Sequence, residues 1–288
     1  DRETVILRDE NKVDVPYDDS RHIVEMRQLL QDYNKLLEKT FIDIQSLDIP
    51  RIELPEKKRR RLSNEQFFVN ITHHDKFVRR VFNNNSFTDG GRFYGGWWQR
   101  IDGNFRKSIR MNNIATVEID YSSLHVVLAY TEAGLDYWKK TEKDPYDLPV
   151  RGVSNPEHSR DIVKLFFLLS LNASTEQSLF KAFRYQFSYK EHPYSFPDDV
   201  LSELLATIKE HHPDIADLIC SGAGLKLMNI DSRICEYIIA DFVSTDSPIL
   251  TVHDSFIVQF DQVDRLDLLM KDAFSYVTYK NVIRINSN

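Results

Sequence analysis

The sequence predicts an α+β fold in which a small sheet is surrounded by many helices. Two segments argue for the sheet. Residues 116–120 (TVEID) alternate like a strand entering a core, and residues 248–260 (PILTVHDSFIVQF) split into two apolar runs around His253, Asp254 and Ser255, the pattern of a β-hairpin with a polar tip. The third observation is the abundance of segments whose apolar residues recur at helical spacing.

Taken in order, residues 20–41 carry the first helical pattern, with Asp18, Asp19 and Ser20 as a cap. Residues 48–66 contain Pro50, Pro55 and the basic run 57–61 (KKRRR), and read as an exposed linker. The run can be solvated charge, a contact to a nucleic-acid backbone, or a nuclear address. A helix is predicted over 74–83 and a glycine-rich turn stretch over 83–96. After the strand at 116–120, residues 122–134 form a helix stopped by Gly134. Further helices are predicted at 157–171, 175–187, 198–211, 229–243 and 261–276.

Composition narrows the class. Of 288 residues, 42% are hydrophobic and 28% charged, as in a globular protein. No run of about 18 apolar residues occurs, so no membrane span is expected. The first residues lack the basic-then-apolar layout of a secretory leader, and a cytoplasmic setting is expected. Two cysteines, Cys220 and Cys235, are too few for a disulfide framework or a cysteine zinc site, and read as core filler. The net charge of −7 is unevenly spread: residues 92–110 carry Arg92, Arg100, Arg106, Lys107 and Arg110 against Asp102, whereas 261–272 is acidic. A basic strip on an acidic body is compatible with phosphate binding.

Two carboxylates carry the candidate chemistry. Asp120 and Asp254 each end an apolar strand. On adjacent strands of one sheet they would face one another and repel unless a divalent cation lay between them, which makes a magnesium site suited to in-line phosphoryl transfer. A single aspartate of this kind is ordinarily a turn or cap residue; the pairing is what signifies. Between them, Arg160 and Lys164 lie four apart on a predicted helix and share one face. Cations so placed suit a triphosphate, although a solvated basic face looks the same.

In this order the segments resemble motifs A, B and C of the family A DNA polymerases and the single-subunit, phage-type RNA polymerases. Asp120-Tyr121-Ser122-Ser123-Leu124 resembles motif A, Arg160 and Lys164 match motif B, and Val252-His253-Asp254-Ser255-Phe256 is similar to motif C, with a Ser-Phe continuation closer to the RNA polymerases. Asp144-Pro145-Tyr146 falls where the family carries a short motif between A and B. Residues 230–242 look like the helix that precedes motif C and touches the minor groove, and Asp89-Gly90-Gly91-Arg92-Phe93-Tyr94 resembles an element of the phage-type enzymes. The resemblance covers roughly residues 87–275.

It implies a right-hand polymerase palm with a small antiparallel sheet, helical fingers and a helical, thumb-like N-terminal region. The divisions would be 1–86, holding the thumb-like part and the basic linker; 87–156, palm with motif A; 157–228, reduced fingers; and 229–288, palm with motif C. The implied activity is template-directed nucleotidyl transfer, more DNA polymerase than RNA polymerase or primase, on primer–template nucleic acid and nucleoside triphosphates. Asp120, Asp254 and the Tyr121 carbonyl would ligate two Mg2+ ions, for which Mn2+ can substitute. Arg160 and Lys164 would hold phosphates, His253 would orient the primer end, and Tyr121, Ser122, Ser123, His125, Leu168 and Asn172 would line the nucleotide site. Arg92, Tyr94, Trp97, Trp98, Gln99, Arg106, Ser232 and Arg233 would contact nucleic acid, the aromatics by stacking; the same aromatics also read as a core cluster behind a glycine turn. A protein partner would dock through the N-terminal region.

The sequence departs from the family in two places: His125 stands where the DNA polymerases carry a ribose-gating glutamate, and Asn172 where an aromatic ends motif B. Two other classes fit some residues. A histidine-aspartate metal phosphohydrolase would use His73, His74 and Asp75 on helices, and a non-catalytic nucleic-acid-binding module would keep the palm shape without metal.

Overall fold

The computed structural model describes residues 2–55, 67–187 and 192–287, so the basic run 57–61 lies outside the described residues. The chain is mixed α and β, and it divides into two compact units, residues 1–122 with 228–288, and residues 123–227.

All the described strands belong to the first unit. They are β1 (Val5–Leu7), β2 (Ile42–Asp43), β3 (Arg51–Glu53), β4 (Phe68–Asn70), β5 (Val78–Asn83), β6 (Ser86–Gly95), β7 (Arg110–Met111), β8 (Ile114–Tyr121), β9 (Ile249–Val252), β10 (Ser255–Gln259) and β11 (Ile285–Ser287). The principal sheet has the order β2-β7-β8-β10-β9, with β11 also pairing β8. A second sheet runs β1-β5-β6, and β3 pairs β4. Helix α1 (Arg21–Lys39) is capped by Ser20, whose side chain accepts from the Ile23 N–H. It buries Ile23, Met26, Leu30, Tyr33, Leu36 and Leu37 on one stripe. The Tyr33 hydroxyl donates to the Ile249 carbonyl at 2.9 Å, and the Asn34 side chain bonds both backbone groups of Val78, so the helix is tied to β9 and β5. A short helix, α2 (Gly103–Arg106), follows β6.

The N-terminal third corrects the expectation of a helical, thumb-like region. The described residues among the first 86 hold α1 and strands β1 to β5. Residues 74–83, expected to be helical, contain β5 instead, and the expected turn stretch 83–96 is mostly β6. The reason is local: Asn84 and Asn85 both adopt left-handed φ, 54° each, the geometry of a type I′ hairpin turn. The glycines of 83–96 are sites within the strand: the β5–β6 register shifts beside Phe82, which pairs with Gly90. Gly96 closes the segment at φ 77°, where a Cβ would stand 2.4 Å from the Trp98 ring.

The second unit is helical, with α3 (Leu124–Glu132), α4 (Tyr137–Lys140), α5 (Pro156–Asn172), α6 (Glu176–Phe187) and α7 (Asp198–His211). Helix α8 (Gly224–Ser244) contains the boundary with the first unit, which α9 (Val263–Thr278) completes. Asn155 caps α5 by accepting from the N–H groups of Glu157 and His158, and Pro156 fits the first turn, whose N–H needs no helical partner. The inner face of α5 presents Phe166 and Phe167; Phe166 meets Phe183 of α6 edge-on, with centroids 5.2 Å apart.

His212 is the polar tie of this unit. It is 4% exposed, its Nε2 lies 3.1 Å from the Pro145 carbonyl and its Nδ1 lies 2.9 Å from the Tyr130 hydroxyl. A carbonyl only accepts, so Nε2 carries the proton and Nδ1 accepts from Tyr130. Burial lowers the pKa of His212, and His211 and Lys140 add to that, against the opposing Pro145 carbonyl and Asp214. The unfolded chain therefore binds this proton more tightly than the folded one. Stability carried by neutral His212 is complete above the unfolded value of about 6.5 and is lost as pH falls below it. Denaturation midpoints measured from pH 7.5 to 5 should decline on this account, and H212Q, though less stable throughout, should show a shallower decline.

Candidate metal and nucleotide site

Strand β8 is paired along both edges, by β10 on one side and by β7 and β11 on the other. Its register with β10 sets Ser255 opposite Asp120. Asp254 precedes Ser255, so the two candidate carboxylates come to the same end of the sheet on neighbouring strands. Val252 pairs with Ser255, which leaves His253 and Asp254 as a two-residue hairpin loop. His253 adopts φ 59°, a left-handed conformation that costs a non-glycine residue roughly 1 kcal/mol.

Glu118 fixes this loop. It lies two residues before Asp120 and therefore on the same face of β8. It is 6% exposed and receives the Arg106 guanidinium through Nε at 2.8 Å and Nη2 at 3.0 Å. The Ser255 hydroxyl donates to it at 2.7 Å. A buried, bidentate ion pair thus pins the residue next to Asp254 against the strand of Asp120. Sequence reasoning missed Glu118, although the alternation of TVEID already put it on the Asp120 face.

Around the loop, His253 is half-buried and its ring meets Tyr94 edge-on at 6.0 Å. Burial lowers the His253 pKa, nearby Arg92 and Arg106 lower it further, and Asp254 and Asp231 oppose them. The balance favours the neutral ring. Burial works against the charge on Arg92, but Asp231 and Asp254 outweigh it and raise its pKa.

Carboxylate oxygens are the kind of donor that magnesium takes. Asp120 and Asp254 offer hard oxygens at one sheet end. Among the described residues no group of three or more His, Cys, Asp or Glu side chains converges. The Tyr121 side chain is core, its hydroxyl donating to the Met270 carbonyl at 2.5 Å, so only its backbone remains for a ligand. Ser122 is half-buried, and Ser123 opens α3 with φ 55°.

In the second unit, Arg160 and Lys164 share the outer side of α5. The Arg160 guanidinium reaches Asp144 through Nε at 2.8 Å and Nη2 at 2.7 Å, and lies over the Tyr146 ring, so the Asp-Pro-Tyr segment orients it. Lys164 is exposed. Leu168 is half-buried, Asn172 is exposed and donates to the Leu168 carbonyl at 2.7 Å, and His125 is buried in α3 at 9% exposure.

The expected nucleic-acid surface is largely corrected. Trp97 and Trp98 are fully buried and offer no face to a base; the Trp98 Nε1 donates to the Thr251 carbonyl at 3.2 Å. Gln99 donates to the same carbonyl at 2.9 Å. Ser232 is buried and receives a bond from Arg80. Arg92 pairs with Asp231, Arg100 with Asp75 and Arg106 with Glu118, so most of the basic strip neutralises internal carboxylates. Tyr94, 37% exposed, and Arg233, also exposed, remain outward. His73, His74 and Asp75 lie in a turn rather than on helices, which removes the phosphohydrolase arrangement. No helix among the described residues is long and apolar enough to cross a membrane.

No protein-family model matches the chain, and no curated protein matches it either. Among solved structures, the POL domain of Pol1 from M. smegmatis in complex with DNA primer-template and dNTP is similar over 74% of this chain and 47% of that one, with a TM-score of 0.38 and 12% identity. The chain therefore spans about half the length of that domain, and a likeness of this size carries no argument about activity.

Proposed function

We propose that the chain is a template-directed nucleotidyltransferase, a palm-type DNA polymerase that extends a primer with nucleoside triphosphates. One observation carries the reading: the β8–β10 register brings Asp120 and Asp254 to the same end of one sheet. Two magnesium ions held there would activate the attacking hydroxyl and neutralise the departing pyrophosphate. Asp120 and Asp254 supply the negative charge that holds such ions, with the Tyr121 carbonyl as a further oxygen. Neutral His253 can hydrogen-bond the hydroxyl-bearing end of the primer. In the second unit, Lys164 and Arg160, the latter steadied by Asp144, supply cations of the kind that bind phosphate oxygens.

The Ser255-Phe256 continuation favours RNA synthesis as the second outcome. Primer extension with Mg2+, supplying deoxynucleotides and ribonucleotides separately on DNA and RNA templates, tests both. Extension of a DNA primer with deoxynucleotides is the expected result. Absence of product in all four combinations overturns the reading.

A further inference from the structure

A cavity of about 230 Å3 opens in the second unit, lined by His158, Asp161, Ile162, Phe187, His192 and Tyr194 among others. We propose that it binds a quaternary ammonium group, the trimethylammonium head of a choline-like small molecule or of a methylated lysine. All of its lining belongs to the second unit, whereas Asp120 and Asp254 belong to the first, so this site stands or falls apart from the polymerase reading.

The cavity is smaller than the roughly 300–1,000 Å3 of ordinary ligand pockets, which suits one compact head group rather than a whole cofactor. Its wall is a row of rings. Phe187 and His192 meet with centroids 4.2 Å apart, His192 and Tyr194 lie nearly parallel at 5.9 Å and 16°, and Tyr194 meets His158 edge-on at 5.6 Å. Phe187 is itself held by Phe183 and Phe196, at 5.3 and 5.1 Å. The His158 Nδ1 lies 2.5 Å from the Tyr194 hydroxyl, which ties the last two rings together. The Tyr194 N–H donates to the His192 Nδ1 at 3.1 Å, so that nitrogen carries no proton, as in the neutral ring. Aromatic faces of this kind attract a cation through the ring quadrupole.

Charge points the same way. Asp161 is exposed and forms no ion pair among the described residues. It stands three residues after His158 and one before Ile162, so all three share one face of α5. By the helical repeat, Arg160 and Lys164 lie on another face. Ile162, buried, adds apolar surface on which methyl groups can pack. One carboxylate among rings favours a cation that needs few hydrogen bonds. A lysine ammonium would bring three donors to walls that are mostly hydrocarbon, whereas a quaternary ammonium has none to satisfy.

The test is calorimetric titration of the whole chain with choline, with its neutral isostere 3,3-dimethylbutan-1-ol, and with a short peptide carrying either trimethyllysine or unmodified lysine. Wild type is expected to bind choline with a dissociation constant on the order of 1 mM or below, and the neutral isostere about tenfold more weakly. Asp161→Asn should weaken choline binding about fivefold, and Tyr194→Ala roughly tenfold, while Y194F keeps it. Circular dichroism shows that each variant keeps the fold, and D161N, at an exposed position, decides the matter should Y194A unfold. Tighter binding of the trimethylated peptide than of choline would identify a protein as the source of the group, and the reverse a free small molecule. Equal affinity for choline and its neutral isostere, or undiminished binding in both D161N and Y194A, overturns the proposal. So does an unmodified peptide that binds as well as the trimethylated one, or wild type that binds neither choline nor trimethylated peptide.

Discussion

Asp254→Ala should abolish primer extension while leaving the affinity for primed template within a few-fold of wild type. The carboxylate sits half-buried in a two-residue hairpin loop outside the paired strands, and circular dichroism of the variant checks that the fold is kept. Loss of the carboxylate removes half of the charge that would hold the ions. Metal stabilisation of the transition state is worth several kcal/mol, and at about 1.4 kcal/mol per factor of ten the loss corresponds to at least roughly 10^3 in rate. Single-turnover extension with Mg2+, read beside filter binding of labelled primer–template, separates chemistry from binding. D254A that extends at a tenth of the wild-type rate or better would contradict the two-carboxylate site.

The second large effect is expected at Glu118, a residue that touches neither metal nor substrate in this reading. Glu118→Ala leaves the Arg106 guanidinium, 18% exposed, without its carboxylate, and the Ser255 hydroxyl with the Val252 carbonyl at 3.1 Å in place of its shorter bond to Glu118. Stranding one member of a buried ion pair costs about 3 kcal/mol or more. Equilibrium urea unfolding should show that loss. The double variant E118L/R106L should recover much of it, because no charge is then left stranded. Glu118→Gln separates stability from function: the amide oxygen still accepts from Ser255, so the loop keeps its register while the ion pair is weakened. E118Q should therefore retain more extension activity than E118A at equal fractions folded. Equal activity of the two would show that the hairpin needs no such anchor.

The legible part of the molecule is the part where local pattern suffices. Helix α7 lies where its spacing puts it, α5 and α6 begin and end within a residue of expectation, and the hairpin around His253 and Asp254 is announced by two apolar runs and a polar tip. Residues whose meaning depends on distant partners were not legible. Arg92 looks like a free cation until Asp231, on a helix well over a hundred residues later, closes on it. Arg106 likewise awaits Glu118, and Trp97 and Trp98 become core only once β9 covers them. β5 failed for a different reason: its adjacent arginines suggest a solvated helix face, but Arg80 is 2% exposed and bonds Gly91, Ser232 and Glu236. No periodicity reveals a buried arginine, since the satisfying groups come from a neighbouring strand and from a helix some 150 residues later.

Strand β8, flanked on both edges, has a kinetic corollary. Local openings of a protein release backbone amides from its frayed margins first and from doubly paired strands last. The amide protons around Asp120 should therefore outlast those of β3 and β4, an isolated pair, in deuterium uptake. The platform under the reactive carboxylate would persist through fluctuations that loosen the periphery, leaving the chemistry insensitive to breathing elsewhere in the chain.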